Sequence, residues 1–196
     1  MLILLAAGSS SRMGRPKQLL EIEGKPLVRR AAETALASIC DSVVVVVGAE
    51  PASIRAALEG LDVEVVENPE WKQGMGTSIH AGVAQAHGRD ADGIILALAD
   101  QPLVTAGILN NLITTARAGG RPIVASQYAG TVGVPAYFAR EFFPQLLALK
   151  PGEGCKGLIL TQAEKTIGLP CPEAEADIDT PEDFQRISEQ LIGSDG

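Results

Sequence analysis

Residues 42–47 read Ser-Val-Val-Val-Val-Val, and this run constrains the fold more than any other. Consecutive β-branched side chains are stiff in a helix and pack well on a pleated sheet. A strand sends alternate side chains to opposite faces, so an all-valine strand has no face to offer water and must be covered on both. Residues 2–5, 93–99 and 122–125 are further apolar runs of strand length, 63–66 is a shorter one, and 166–169 returns as a strand late in the chain. Between them, residues 26–38, 51–58, 77–87 and 105–118 carry apolar side chains at helical period. Thr105 is a ready N-cap, with Ile108, Leu109, Leu112 and Ile113 on one face. Doubly covered strands joined by helices predict an α/β fold: a three-layer domain over 1–196 with a mostly parallel central sheet and right-handed crossovers.

The pattern loosens after Ser126. Gly130, Gly133 and Pro135 interrupt an apolar stretch that ends at Tyr137-Phe138, which predicts a hairpin or edge excursion, a small β feature in the C-terminal third. Residues 150–154 form a turn-rich loop. Thr180-Pro181-Glu182-Asp183 then combines an N-cap, a proline at N1 and an acid at N3. A terminal helix with Phe184, Ile187 and Leu191 on its buried stripe follows.

The first eighteen residues carry the clearest chemical signal. The strand at 2–5 opens into a small, flexible stretch, Ala7 to Ser11, with Arg12, Arg15 and Lys17 close behind. Such a loop presents backbone N–H groups with little side-chain bulk, and interleaved cations neutralise polyphosphate oxygens. An ordinary turn with three surface cations is the competing reading. The stretch is neither a Walker A loop nor G-x-G-x-x-G. Charge distribution agrees with a small polyanion. The net charge is −8, yet residues 1–30 hold six cations (Arg12, Arg15, Lys17, Lys25, Arg29, Arg30) against Glu21 and Glu23. An acidic chain with one basic mouth does not suit a nucleic-acid surface.

Other classes are disfavoured. No apolar run approaches membrane-span length, and the opening residues lack the basic flank of a signal peptide, so a soluble protein is expected. Cys40, Cys155 and Cys171 are scattered and odd in number, which suits a reducing cytoplasm and neither a disulfide framework nor a zinc ribbon. His80 and His87 lie seven apart in one helical segment, with no cysteine ligand nearby. No G-x-S-x-G elbow is present.

Ligands of open α/β sheets bind beyond the carboxyl ends of the strands. Asp100-Gln101-Pro102 directly follows the run 93–99. One carboxylate there can hold Mg²⁺ and leave phosphate oxygens and water to complete the octahedron, or it can simply close a turn. Asp177-Ile178-Asp179 places two carboxylates on one side of an extended segment. Asp179 also abuts a helix start, where an acid complements the dipole. Residues 68–78 offer Gly74, Gly76, Thr77 and Ser78 ahead of a helix, suited to a nucleobase or phosphate or, equally, to a helix capped by Thr77 or Ser78. Trp71 in that stretch reads as packing. The lack of a dedicated base fits a nucleophile that is already an anion, since phosphoryl-type transfer needs mostly positioning and charge neutralisation.

Leu5 to Leu20, L-A-A-G-x-S-x-R-M-G-x-P-K-Q-L-L, resembles the signature of the nucleotidyltransferases related to molybdenum cofactor cytidylyltransferase. The resemblance continues through Asn68-Pro69, Gly74-Met75 and Ser78, then Leu98 to Pro102, Gly133-x-Pro135, and Asp177 to Asp183. It implies a Rossmann-like domain that joins an NTP to a phosphorylated acceptor and releases pyrophosphate. In molybdenum cofactor cytidylyltransferase itself the donor is CTP and the acceptor Mo-molybdopterin, and the resemblance implies a molybdoenzyme or its chaperone as partner. By resemblance, Leu5, Ala6, Ala7, Gly8 and Ser9 line the nucleotide pocket. Arg12 sits on the β- and γ-phosphates and Lys17 on the α-phosphate. Gly74, Thr77 and Ser78 hold base or ribose, and Asp100 and Asp179 bind Mg²⁺. Gln101, Gly133, Pro135 and Asp177 fall on the acceptor side. Leu5-Ala6-Ala7-Gly8 is closer to cytidylyl-type members than to the L-A-G-G of guanylyl-type ones. The chain departs from the family at Val134, where histidine is common, and at Gly152 to Gly157, where a G-D-x-G-A-R-like stretch is common. Two alternatives stay open: a sugar phosphate or other small phosphorylated acceptor, and a non-catalytic nucleotide-binding cofactor chaperone.

Overall fold

The computed structural model describes residues 1–8, 16–119 and 121–193. Ser9, Arg12 and Arg15 lie outside the described residues. In chain order the strands are β1 (Leu2–Ala6), β2 (Glu21–Ile22), β3 (Lys25–Pro26), β4 (Val43–Val47), β5 (Glu64–Glu67), β6 (Gly93–Leu98), β7 (Ile123–Tyr128), β8 (Thr131–Ala139) and β9 (Thr166–Pro170). The α-helices are α1 (Leu27–Leu36), α2 (Pro51–Ala57), α3 (Met75–Gly88), α4 (Ala106–Arg117), α5 (Phe143–Leu147), α6 (Lys156–Thr161) and α7 (Pro181–Gly193).

Among the described residues, seven strands form one sheet in the order β5-β4-β1-β6-β8-β7-β9, and β2 pairs with β3 as a separate hairpin. The first four are mutually parallel, with Leu2 opposite Val43 on one side and Ile95 on the other. All five valines of β4 are buried, and their alternation divides the core. Val43, Val45 and Val47 face a layer with Val28 and Ala32 of α1, Ile54 of α2 and Leu109 and Leu112 of α4. Val44 and Val46 face Ile79 and Val83 of α3, with Phe142, Phe143 and Leu146 around α5 and Ile159 of α6. The sheet is therefore covered on both faces, and the three-layer, mostly parallel architecture is present.

The expected hairpin is also present, and it lies inside the main sheet. β8 runs antiparallel between β6 and β7, turning through Ala129 and Gly130, both at positive φ. Its interior place follows from its side chains: Ala136 and Phe138 fill one core layer while Tyr137 packs against the other. Helices α5 and α6 give little sequence signal, since at five and six residues neither completes two turns. The capping box of α7 forms as read: Asp183 N–H donates to Thr180 Oγ1 at 3.2 Å, and Thr180 N–H donates to Asp183 Oδ2 at 3.0 Å.

A third apolar cluster positions the site. Leu20, Ile22 and Leu27, around the β2–β3 hairpin, bury against Ile178 and Ile187 near and within α7. Leu20 is three residues beyond Lys17, and Ile178 directly precedes Asp179. This cluster brings both ends of the chain to one place. Ile178 is fully buried, and its N–H donates to the Asp100 carbonyl at 3.0 Å, tying the segment to the end of β6. Ile178→Val is expected to cost about 0.5–1.5 kcal/mol of unfolding free energy, read by urea denaturation. An unchanged midpoint would show that the cluster does not hold this junction.

Candidate active site

Strands β1, β4 and β6 end together, at Ala6, Val47 and Leu98, and the chain segments beyond them meet. Ala49 N–H donates to Ala7 O at 3.2 Å and Ala99 N–H to Leu5 O at 3.1 Å. On this edge the Lys17 ammonium bridges two carboxylates: it pairs with Asp100 Oδ2 and with Asp179 Oδ1, the latter at 2.8 Å. The side chains of Lys17 and Asp100 are only 14% and 16% exposed, so solvent screens their pairing poorly. Burial lowers the Lys17 pKa, but the charge and hydrogen bonds of Asp100 and Asp179 outweigh it and hold the ammonium above its usual range.

The remaining Asp100 oxygen, Oδ1, is buried and has no hydrogen-bond partner among the described residues. A buried carboxylate oxygen without a donor is costly unless a ligand satisfies it. Among the described residues no group of three or more His, Cys, Asp or Glu side chains forms a closed metal cage. Two convergent carboxylates with one open oxygen suit Mg²⁺, which binds through one or two carboxylates and takes phosphate oxygens and water for the rest. Asp177 is exposed and does not line the cavity beside Lys17 and Asp100. Loss of hydration raises its pKa first, followed by the charges of Asp179 and Asp100. Of the two acids flanking Ile178, Asp179 is the one bonded to Lys17.

Beside this cluster lies a cavity of about 320 Å³. Among the residues assigned by resemblance to the nucleotide, Leu5, Ala7, Gly8, Lys17, Gly74, Ser78 and Asp100 line it. Ala6 points instead into the core layer beneath α1. Sequence reasoning missed several wall residues: Gln18, Trp71, Lys72 and Met75. Gln18 carries no clear sequence signal, since it follows Lys17 and reads as a surface polar residue; it is buried and donates from Nε2 to Gly8 O at 2.8 Å, which fixes the end of β1.

The stretch ahead of α3 is built differently from the expectation. The helix starts at Met75, with Gly74 as N-cap at φ +125°, a conformation that favours glycine. Neither Thr77 nor Ser78 caps it. Asn68 Nδ2 donates to Thr77 Oγ1 at 2.8 Å and to Ser78 Oγ at 3.0 Å, and the Thr77 hydroxyl donates to Gly74 O at 2.8 Å. Thr77 is therefore occupied internally and does not line the cavity, whereas Ser78 does. Gly76 N–H donates to Pro151 O at 2.8 Å. A Cβ on Gly76 would lie 2.2 Å from Lys150 O, and one on Gly74 would lie 2.5 Å from Pro151 O. These two glycines admit the 150–154 loop, so the Gly76 amide is engaged by that loop.

Of the residues assigned by resemblance to the acceptor side, Asp177 is exposed, whereas Gln101, Gly133 and Pro135 are engaged in packing. Gln101 is buried, with Nε2 donating to Ala174 O at 2.7 Å and Val134 O at 3.3 Å. Gly133 lies beneath Tyr128, whose hydroxyl would be 2.3 Å from a Cβ there. Pro135 O accepts from Ser126 Oγ at 2.8 Å. None of the three lines the cavity beside Lys17 and Asp100. Cys155 is no alternative nucleophile: complete burial pushes its thiol up to about 12.

Residues 2–166 match a family described as the MobA-like NTP transferase domain. Purine catabolism protein PucB of Bacillus subtilis is 32% identical over 198 residues, 94% of each chain. Molybdenum cofactor guanylyltransferase of Rhodobacter capsulatus is 26% identical over 194 residues, 96% of this chain and 95% of that one. The crystal structure of Rv0371C from Mycobacterium tuberculosis, in complex with manganese, superimposes with a TM-score of 0.74 at 30% identity, over 96% of this chain and 97% of that one. The order of the strands, the cavity beyond their ends and these likenesses converge: the chain belongs to the MobA-like NTP transferase family of nucleotidyltransferases.

Proposed function

We propose that this protein is a Mg²⁺-dependent cytidylyltransferase that moves CMP from CTP onto the phosphate of a molybdopterin-type acceptor, in the cytoplasm and as a single domain. The observation that carries the reading is the Lys17 bridge between Asp100 and Asp179 at the edge of the cavity. An acceptor phosphate oxygen attacks the α-phosphorus in line, the new P–O bond forms, and the bond to pyrophosphate breaks. Lys17 directs its ammonium at the α-phosphate, where negative charge develops. Asp100 and Asp179 would hold Mg²⁺, and Ser78 together with the backbone at Ala7 and Gly8 contacts the nucleoside. Arg12 is the candidate for the leaving pyrophosphate. Mg²⁺, when bound, supplies charge neutralisation for the phosphates.

Three observations support the metal and the base. Asp100 Oδ1 is an open buried acceptor. A 30%-identical relative is known in complex with manganese. The loop Leu5-Ala6-Ala7-Gly8 resembles that of cytidylyl-type members more than the L-A-G-G of guanylyl-type ones. A guanylyltransferase among the relatives makes the base the point to test. Pyrophosphate release should be fastest with CTP and Mg²⁺ in the presence of molybdopterin, and absent when metal is chelated. Faster release with GTP would overturn the cytosine assignment, and release without acceptor at the same rate would overturn the acceptor.

A second acceptor reading has its own support. Gly133 and Pro135 present no polar side chain to a ligand, and the Gln101 Nε2 is already bonded to Ala174 O and Val134 O. A sugar phosphate or other small phosphorylated acceptor then shares the same donor site, and it would replace molybdopterin in the release assay.

A further inference from the structure

Trp71, the only tryptophan in the chain, is placed where packing alone does not explain it. It is half-buried and belongs to none of the three apolar clusters among the described residues. Its indole nevertheless has a constructed seat. A Cβ on Gly48, at the end of β4, would lie 2.5 Å from Trp71 Cβ, 2.6 Å from Cγ and 2.8 Å from Ala7 O. Only glycine lets the tryptophan settle against the strand ends that carry the Ala7–Gly8 turn. The ring then lines the same cavity as Ala7, Ser78 and Asp100. Lys72, exposed, places its ammonium 5.6 Å from the ring centroid and also lines the cavity.

We propose that the indole of Trp71, seated by Gly48, is the stacking surface for the nucleobase of the donor nucleotide. The inference rests on the nucleotidyl-transfer reading above and adds a named binding wall to it. A rigid aromatic face half-open to a cavity suits a planar heteroaromatic ring, and stacking of a base on such a face tolerates base identity. Trp71 thereby contributes affinity for any nucleoside triphosphate, and Ser78 and the backbone of the β1 loop are left to discriminate between bases. Lys72 supplies a cation on the same wall for an anionic ligand.

Because Trp71 is the sole tryptophan, its emission reports the contact directly. With Mg²⁺ present, CTP is expected to quench it, while inorganic tripolyphosphate, which lacks a ring, should bind by calorimetry without quenching. Trp71→Ala should weaken CTP binding about 5- to 150-fold and leave tripolyphosphate unchanged. Trp71→Phe should retain most of the affinity and serves as the second variant if the alanine protein does not fold. CTP that binds without changing the emission would overturn the proposal and leave the donor reading standing. Equal losses for CTP and tripolyphosphate in Trp71→Ala would do the same. A simple pterin that quenches when CTP does not would overturn it in favour of the acceptor ring. Failure of the wild-type protein to bind either CTP or tripolyphosphate would overturn both readings together.

Discussion

Asp100→Asn is expected to give a folded protein whose turnover falls on the order of 10²- to 10³-fold, the scale on which a preorganised electrostatic contact acts. The fold tolerates the change because Lys17 keeps Asp179 as a partner at 2.8 Å, so no buried cation is abandoned. Asparagine also preserves the shape of the carboxamide-sized site and leaves the Asp100 carbonyl free to accept from Ile178 N–H, as it does now. What it removes is the formal charge beside the open oxygen Oδ1. The loss should therefore appear as weakened divalent-metal binding together with a slower chemical step. Raising Mg²⁺ should recover part of the rate. Pyrophosphate release measured across a metal titration reads both effects. Near-normal release at limiting metal would remove Asp100 from the proposed site, and a protein that fails to fold would show that the residue is structural instead.

The fold was largely legible because its signals are local. The valines of β4, the apolar run of β6 and the Thr180–Asp183 capping box each act through neighbours within a few residues. The acids of the candidate site were legible for a topological reason, since Asp100 directly follows a buried strand and such ends gather ligands. The meeting of Lys17 and Asp179 spans 162 residues and was expected only through the family resemblance, because no local pattern ties Leu20 and Ile22 to Ile178. Gly74 and Gly76 illustrate a different difficulty. Small residues ahead of a helix signal a close approach without saying of what, and here the 150–154 loop is what approaches. Trp71 raised the opposite problem. A lone tryptophan is packing by default, and only the cavity beside it and the glycine beneath it point elsewhere.

Lys17→Ala should separate catalysis from metal binding. The ammonium now occupies the space between Asp100 and Asp179, so it competes with any divalent cation for the same oxygens. Removing it leaves two carboxylates facing one another, an arrangement that a divalent cation relieves. Metal affinity, followed with Mn²⁺, is therefore expected to hold or rise, while the single-turnover rate at saturating CTP and acceptor falls on the order of 10²- to 10³-fold because charge on the α-phosphate loses its counterion. The pH dependence has a defined sign. A lysine whose pKa is raised in the folded state contributes stability that is complete below its ordinary value of 10.5 and disappears as pH rises through the raised value. The difference in unfolding temperature between wild type and Lys17→Ala should accordingly change little between about pH 7 and about pH 9 on account of Lys17, and shrink in more alkaline solution. A variant that loses metal affinity but keeps its single-turnover rate would make Lys17 an organiser of the acids and not a contact of the reacting phosphate.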